Sequence, residues 1–354
     1  MRARCPGCGQ IRELSAAVGV CVDCLRQGAA GALSRALATH RSARQSFSLP
    51  PEPPRTPDGV HCTVCANECQ IGPGERGFCG LRTNRAGRLH TLAGSPRRGF
   101  LQWYRDPLPT NCVADWVCPG QHQRGKHNLA VFYGACSFDC LFCQNWHYRE
   151  MSPGGRLTLS AQDLAATADS DTFCVCYFGG DPSPQMPHAL AASRRLAERG
   201  VRVCWETNGS MSPAYLRPAV DFSLTSGGCL KFDLKAWNED LHRALTGVSN
   251  RRTLENFALA ARRISERPDP PLVIASTLLV PGYVDAADVS AIARFIASFD
   301  PDIPYALLAF APQFHMHDLP RTSREHAEAA LKAARTAGLT RVRLGNRHLL
   351  GIED

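Results

Sequence analysis

From about residue 128 onwards, short apolar runs rich in β-branched and aromatic residues alternate with longer amphipathic stretches rich in Ala, Leu and Arg. The runs cover 129–135, 172–178, 201–205, 230–234, 272–279 and 305–310, and each has the length of a buried strand rather than of a helix. The stretches near 160–168, 187–199, 238–246, 252–265, 286–299 and 323–337 read as helices. A further run at 340–344 predicts one last strand. Strands alternating with helices predict parallel βαβ units. Residues 128–354 are therefore expected to form an α/β domain, a partial (β/α)6 TIM-like barrel whose chemistry gathers at the C-terminal ends of its strands.

Before residue 128 the pattern is set by cysteines instead. Cys5-x2-Cys8 and Cys21-x2-Cys24 form two tight knuckles, like those of a zinc ribbon. Four thiolates so placed suit a structural Zn²⁺, with iron as the alternative, and such a site would stabilise a segment too small to build its own core. Residues 25–45 read as helix. The Pro-rich stretch 49–58 reads as a stiff linker, which separates a unit at 1–48 from a cysteine-rich, metal-binding region at 59–127. That region carries Cys62-x2-Cys65-x3-Cys69-x9-Cys79, which could hold zinc or a second [4Fe–4S] cluster; the spacing does not choose. Cys112 and Cys118 follow as ligands, a redox pair or packed thiols.

Composition narrows the setting. The chain has 354 residues, 44% of them hydrophobic, and no apolar run of membrane-spanning length. Its opening residues show no signal-peptide core. Seventeen cysteines, an odd count in metal-type groupings, point to metal or redox chemistry in a reducing, cytoplasmic setting rather than to disulfides. The formal charge is +8 and almost wholly Arg. Spread this thinly it does not argue for nucleic acid, but it suits an acidic electron donor such as ferredoxin or flavodoxin.

The most informative loop follows the first strand of the predicted barrel. Cys136, Cys140 and Cys143 have the spacing C-x3-C-x2-C, so three thiolates can hold three corners of a [4Fe–4S] cube and leave the fourth iron open to a small molecule. A zinc site would want a fourth ligand nearby. Unusual residues also sit where the other strands stop: Gly179-Gly180-Asp181-Pro182, Glu206-Thr-Asn208-Gly, Asp233-Leu-Lys235, Pro281-Gly282, and His315-Met-His317. Asp233 and Lys235 alternate along a strand and so share a face; a structural ion pair is the alternative reading. His315 and His317 would share a face if their segment is extended, as proton donors, cofactor or substrate contacts, or simply surface residues; His147 has the same standing.

Taken together, these motifs resemble the radical S-adenosylmethionine (SAM) enzymes similar to pyruvate formate-lyase activating enzymes, and most closely the AmmeMemoRadiSam branch. The resemblance runs from about Cys62 to Leu350. It includes Cys79-Gly-Leu-Arg, Phe138-Asp-Cys140-Leu-Phe-Cys143-Gln-Asn-Trp146, Leu245-Thr-Gly247-Val-Ser-Asn250, Leu279-Val-Pro-Gly282 and the segment from Gly338 to Asn346. It implies that Cys136, Cys140 and Cys143 bind the cluster and that Phe142 packs near adenine. It implies that Gly179, Gly180 and Asp181 receive the SAM ammonium, although Asp181 stands where the family carries Glu. It implies that Glu206 and Asn208 contact ribose or a cation, again with an acid exchanged, and that Lys235, beside Asp233, meets the SAM carboxylate. The expected activity is reductive cleavage of SAM to a 5′-deoxyadenosyl radical that abstracts hydrogen from an unidentified small molecule or protein side chain. The alternatives are an activase that installs a glycyl radical on a partner enzyme, and a non-catalytic zinc- or nucleic-acid-binding module.

Overall fold

The computed structural model describes residues 2–110, 112–153 and 157–350; the last four residues of the 128–354 unit lie outside them. The N-terminal part opens on a hairpin of β1 (Arg2–Arg4) and β2 (Ile11–Glu13), followed by α1 (Val22–Arg26) and α2 (Ala32–Ser46). The helix expected at 25–45 is thus interrupted. Gly28 and Gly31 take left-handed φ values of 63° and 74°, which favour glycine and reset the chain direction between the two helices. Two small antiparallel ribbons come next, β3 (Val60–His61) with β4 (Gln70–Ile71) and β5 (Arg82–Arg85) with β6 (Arg88–Thr91). The Pro-rich segment before them is tied down: Arg44 donates to the Pro50 carbonyl at 2.6 Å and Gln70 N to the Pro54 carbonyl at 2.9 Å.

The rest of the chain builds one nine-stranded sheet. Its strands are β7 (Gly99–Pro107), β8 (His127–Tyr133), β9 (Thr158–Leu159), β10 (Thr172–Gly179), β11 (Arg202–Thr207), β12 (Leu230–Asp233), β13 (Val273–Leu279), β14 (Tyr305–Ala309) and β15 (Val342–Gly345). The spatial order is β15-β14-β13-β12-β11-β10-β8-β7-β9. From β8 to β15 every neighbouring pair is parallel, and β7 runs antiparallel between β8 and β9. Parallel strands wound in chain order and left open at both edges are what a partial barrel requires. The predicted α/β class and its parallel strands are present, each within a few residues of its expected limits.

The connections are α3 (Ala161–Ala166), α4 (Met186–Glu198), α5 (Pro213–Ser226), α6 (Glu239–Thr246), α7 (Arg251–Ala261), α8 (Ala286–Ala297) and α9 (Arg324–Thr336). Helices α3, α4, α5 and α7 pack one on the next, α8 packs on α9, and α6 packs against α1 and α2. Strand alternation divides the sheet residues between two faces. Leu129, Val131, Val175, Tyr177, Val203, Trp205, Leu230 and Phe232 belong to the main apolar core, where full burial of each contributes about 1.5–3 kcal/mol. Their alternates Asn128, Ala130, Cys174, Cys176, Cys204, Glu206 and Lys231 face a cavity. The short strands β1–β6 and β9 were not foreseen, nor were two longer elements. Helix α5 begins at Pro213 and contains Pro218, which masks a buried stripe of Leu216, Ala219, Val220 and Ser223 at helical spacing. Strand β7 lies in the stretch where cysteine spacing dominates the reading.

His188 on α4 is buried between the Tyr133 hydroxyl at 2.8 Å and the Leu159 carbonyl at 3.1 Å. Burial lowers its pKa from 6.5 to about 4, against the opposing pull of backbone hydrogen bonds at Leu159 and Ser160. The unfolded chain therefore binds the proton first, and this group's contribution to stability is lost as pH falls from about 6.5 towards 4, by about 3 kcal/mol in full. Side-chain NMR should find the His188 ring neutral until about pH 4; titration near 6.5 would show that the ring is not enclosed as described.

Candidate functional site

The Cys136–Cys143 loop leaves β8 and crosses the C-terminal end of the sheet, where it walls a cavity of about 170 Å³. All eleven residues expected from the sequence at the cluster and SAM site line this one cavity: Cys136, Cys140, Cys143, Phe142, Gly179, Gly180, Asp181, Glu206, Asn208, Asp233 and Lys235. They arrive from the ends of four neighbouring strands, β8, β10, β11 and β12, as the strand-end rule requires.

Each group is held by identifiable contacts. Phe138 N donates to Cys136 Sγ at 3.3 Å. Lys235 Nζ pairs with Asp233 Oδ2 at 2.7 Å, and Ser276 Oγ donates to the other Asp233 oxygen at 2.7 Å. Burial works against the Lys235 charge, but Asp233 and the nearby thiols outweigh it and raise its pKa, so the ammonium persists through the neutral range. Its Nζ lies 5.9 Å from the centre of the Phe142 ring. Burial pushes the Cys140 thiol up to about 12, which holds for the free thiol and is reversed when a metal takes the sulfur.

Asp181 turns towards its own chain. It accepts from Ser183 N and Asn208 N, both at 2.7 Å, and from the Thr207 hydroxyl. Burial raises its pKa to about 6 even though these bonds favour the anion. Its carboxylate locks the turn after β10 to the end of β11, and so orients Asn208, whose Nδ2 reaches Ser137 Oγ at 2.9 Å and Cys136 Sγ at 3.7 Å. The glycines beside it have a packing reason of their own: a Cβ on Gly180 would stand 2.4 Å from the Ala135 carbonyl oxygen, and one on Gly179 2.7 Å from Tyr133 N. Glu206 meets Lys231 Nζ at 3.4 Å and lines both this cavity and a larger one.

Several contributors were not legible in the sequence. Asp139, inside the cysteine loop, is fully buried and has three basic side chains against it: His40 Nδ1 at 2.9 Å, Arg149 at 3.0 Å and Arg44 at 3.4 Å. Burial would raise its pKa, but the His40 hydrogen bond and the two guanidinium groups hold it below the usual value. Tyr148, Arg149 and Asn145 also line the cavity. In contrast, His315 sits in a turn at Phe314–Met316 rather than on an extended segment, and neither it, His317 nor His147 lines the cavity.

The two other cysteine sets differ in scale. The Sγ atoms of Cys5, Cys8, Cys21 and Cys24 all lie within 4.8 Å of one another, with Cys5–Cys24 and Cys8–Cys21 both at 3.7 Å. Tetrahedral Zn–S bonds of about 2.3 Å place sulfurs about 3.8 Å apart. Among the described residues no other set of three or more such ligands is this tight. Cys62, Cys65, Cys69 and Cys79 line one small pocket with buried Arg82, which donates to Cys79 Sγ at 3.7 Å. This pocket is fastened to the cluster loop, since Asn67 Nδ2 donates to the Ser137 carbonyl at 2.7 Å.

Residues 130–296 match the family model of the Radical SAM superfamily. That segment is similar to a radical SAM domain. Over 163 residues the chain is 31% identical to the isethionate sulfite-lyase activating enzyme of Desulfovibrio desulfuricans, which covers 46% of this chain and 49% of the relative. Over 167 residues it is 28% identical to the pyruvate formate-lyase 1-activating enzyme of Escherichia coli, covering 45% and 63%. An uncharacterised protein of Methanocaldococcus jannaschii is 26% identical over 310 residues and 81% of either chain. The chain thus spans about half the length of the isethionate sulfite-lyase relative, and its likeness to the archaeal protein extends well beyond the radical SAM domain. No helix among the described residues is long and apolar enough to cross a membrane.

Proposed function

We propose that this protein is a radical SAM enzyme in which Cys136, Cys140 and Cys143 bind a [4Fe–4S] cluster and the adjoining cavity binds SAM. The observation that supports this most is the convergence of the three thiols and the eight expected SAM contacts on one cavity. Three thiols without a fourth, spaced too widely to surround a single ion, fit a cube with one open iron. The bound groups supply reductive cleavage of SAM to a 5′-deoxyadenosyl radical, which takes hydrogen from a substrate carbon. The chain's own part is placement. Lys235 offers its charge to the SAM carboxylate, Gly179 and Gly180 present backbone at close range, Phe142 packs the adenosine side, and Asp181 fixes Asn208. Glu206, already paired with Lys231, reaches ribose or a cation only from that position.

The same reasoning assigns Zn²⁺ to Cys5, Cys8, Cys21 and Cys24, and a second [4Fe–4S] cluster rather than zinc to the wider set Cys62, Cys65, Cys69 and Cys79. Arg82 would offset that cluster's negative charge, and Cys79 and Cys136 line a common crevice, which suits electron delivery from a ferredoxin or flavodoxin. All seventeen cysteines are free, as in a cytoplasmic protein. Chelation at neutral pH should release about one zinc per chain and loosen the N-terminal unit first; a zinc-free preparation with an unchanged melting curve would refute this assignment.

The experiment that tests the main reading is anaerobic reconstitution followed by SAM and a strong reductant, with 5′-deoxyadenosine as the readout and Cys140→Ala as the control. Product from the parent protein alone is expected. Neither iron nor SAM bound by the parent protein would overturn the reading. The names of the activating-enzyme relatives favour a glycyl-radical partner as the second reading. A glycyl radical signal appearing on a co-incubated candidate partner would select it.

A further inference from the structure

A second cavity, about 410 Å³, lies on the sheet face opposite the main apolar core and shares Asn145 and Glu206 with the Cys136–Cys143 cavity. Six cysteines line it: Cys174 and Cys176 on β10, Cys204 on β11, Cys229 just before β12, and Cys112 and Cys118 from the connection between β7 and β8. Among them stands Lys231, almost completely buried, with Nζ 3.1 Å from both Cys112 Sγ and Cys176 Sγ. We propose that this cavity is a further metal site, an iron–sulfur cluster held by Cys112, Cys118, Cys176 and Cys204, with Lys231 offsetting its charge.

Three observations carry this. First, the loop thiols sit in metal-loop turns. Ala114 N donates to Cys112 Sγ and Gly120 N to Cys118 Sγ, each at 3.4 Å from the residue two positions on. The same turn recurs at Cys136, where Phe138 N donates at 3.3 Å. Thiols that merely fill a core as small hydrophobes have no need of it. Second, geometry connects the four thiols: Lys231 Nζ stands 3.1 Å from both Cys112 and Cys176, Cys176 lies opposite Cys204 in the pairing of β10 with β11, and Cys118 and Cys204 line a common small pocket. They are too widely spaced to form a single-ion set, which matches a cluster. Of the remaining two thiols, Cys174 donates to Asn128 Oδ1 at 3.5 Å and Cys229 lies just before β12, so neither is needed as a ligand.

Third, Lys231 is otherwise hard to explain. Lysine is almost never fully buried unless paired. Its one carboxylate partner, Glu206, stands at 3.4 Å, farther than either sulfur. Neutral thiols are weak acceptors, whereas metal-bound thiolates make both contacts charge-assisted. Three thiolate-rich sites would then each have a buried cation beside them: Arg149 near Cys143, Arg82 at Cys79, and Lys231 here.

The test compares the full-length protein with Cys112→Ser/Cys118→Ser after anaerobic reconstitution with iron and sulfide. The variant should bind roughly two to four fewer irons, with matching loss of sulfide and of one Mössbauer component. The SAM-induced change in the EPR signal of the Cys136–Cys143 cluster should remain, so failure of this proposal is distinguishable from failure of the SAM reading. Unchanged iron and spectra in a folded variant would overturn it, as would zinc without sulfide at this site. Alkylation and mass spectrometry of the parent protein give a check that needs no variant. Cys112 and Cys118 should react at least tenfold more slowly when reconstituted than when stripped, and equal rates would overturn the proposal.

Discussion

Asp139→Ala is expected to lose about 3–5 kcal/mol of stability and to reconstitute little cluster at Cys136, Cys140 and Cys143. The carboxylate is fully buried and sits between Arg44 on α2 and Arg149 beyond the cysteine loop, with His40 on a third side. Removing it leaves two buried guanidinium groups facing each other without a counter-charge, which is far worse than losing an ordinary hydrogen bond. The loop itself is also anchored there, since Asp139 N and Leu141 N donate to the carbonyls of Thr246 and Leu245 at 2.8 and 3.0 Å. These backbone bonds survive the substitution, so the loop should persist but lose its fixed approach to the cavity. Asp139→Asn should fall between the two, because it keeps the shape and one acceptor oxygen. Guanidinium titration of the metal-free protein and iron analysis of the reconstituted one measure the two effects separately. Combining Asp139→Ala with Arg44→Met should be less damaging than the sum, because the second change removes one stranded charge. A loss of stability below about 1 kcal/mol in Asp139→Ala would mean that water reaches the arginines and the network is not closed.

Asp139 also shows where sequence reading ended. The cysteine spacing was legible because a single loop sets it, and the strand-end residues were legible because a period of two and a helical period locate the strands. Those two facts sufficed to bring Cys143 and Lys235 together, although 92 positions separate them in the numbering. Asp139 looked like a spacer inside the motif, since His40 and Arg44 lie 95 to 99 positions away on α2, Arg149 follows ten positions on, and no local pattern links the three. The inward cysteines were hidden for a similar reason. Cys174, Cys176, Cys204 and Cys229 read as ordinary small apolar residues of buried strands, and only the register of β10, β11 and β12 aligns them. The turn residues of β10 were legible in kind, but their packing cause was not. The expected ligand approach explains glycine at 180, but the Ala135 carbonyl already excludes any side chain there.

Lys235→Met should weaken SAM binding by about ten- to a hundredfold while leaving the iron content intact. A hydrogen bond between charged groups contributes about 1.5–3 kcal/mol, and each 1.4 kcal/mol is a factor of ten. The lysine is poised for that contact. Asp233 holds it at 2.7 Å on the cavity wall, Ser276 holds Asp233, and the raised pKa keeps the ammonium charged. Because Asp233 engages only one direction of a group with three donors, Lys235 can meet a carboxylate without breaking its existing pair. Methionine removes the charge and leaves Asp233 inside the cavity as an uncompensated anion, so an anionic ligand is both less attracted and actively repelled. Lys235→Arg should recover only part of the affinity, since a planar fork does not reproduce a compact ammonium. Equilibrium dialysis of SAM against the reconstituted variants gives the ratio directly. If the pair were purely structural, Lys235→Met would lower the melting temperature and the iron content together while the folded, loaded fraction bound SAM with unchanged affinity. Unchanged affinity would remove Lys235 from the site and leave the SAM carboxylate to be met by Arg149, the other cation on the cavity wall.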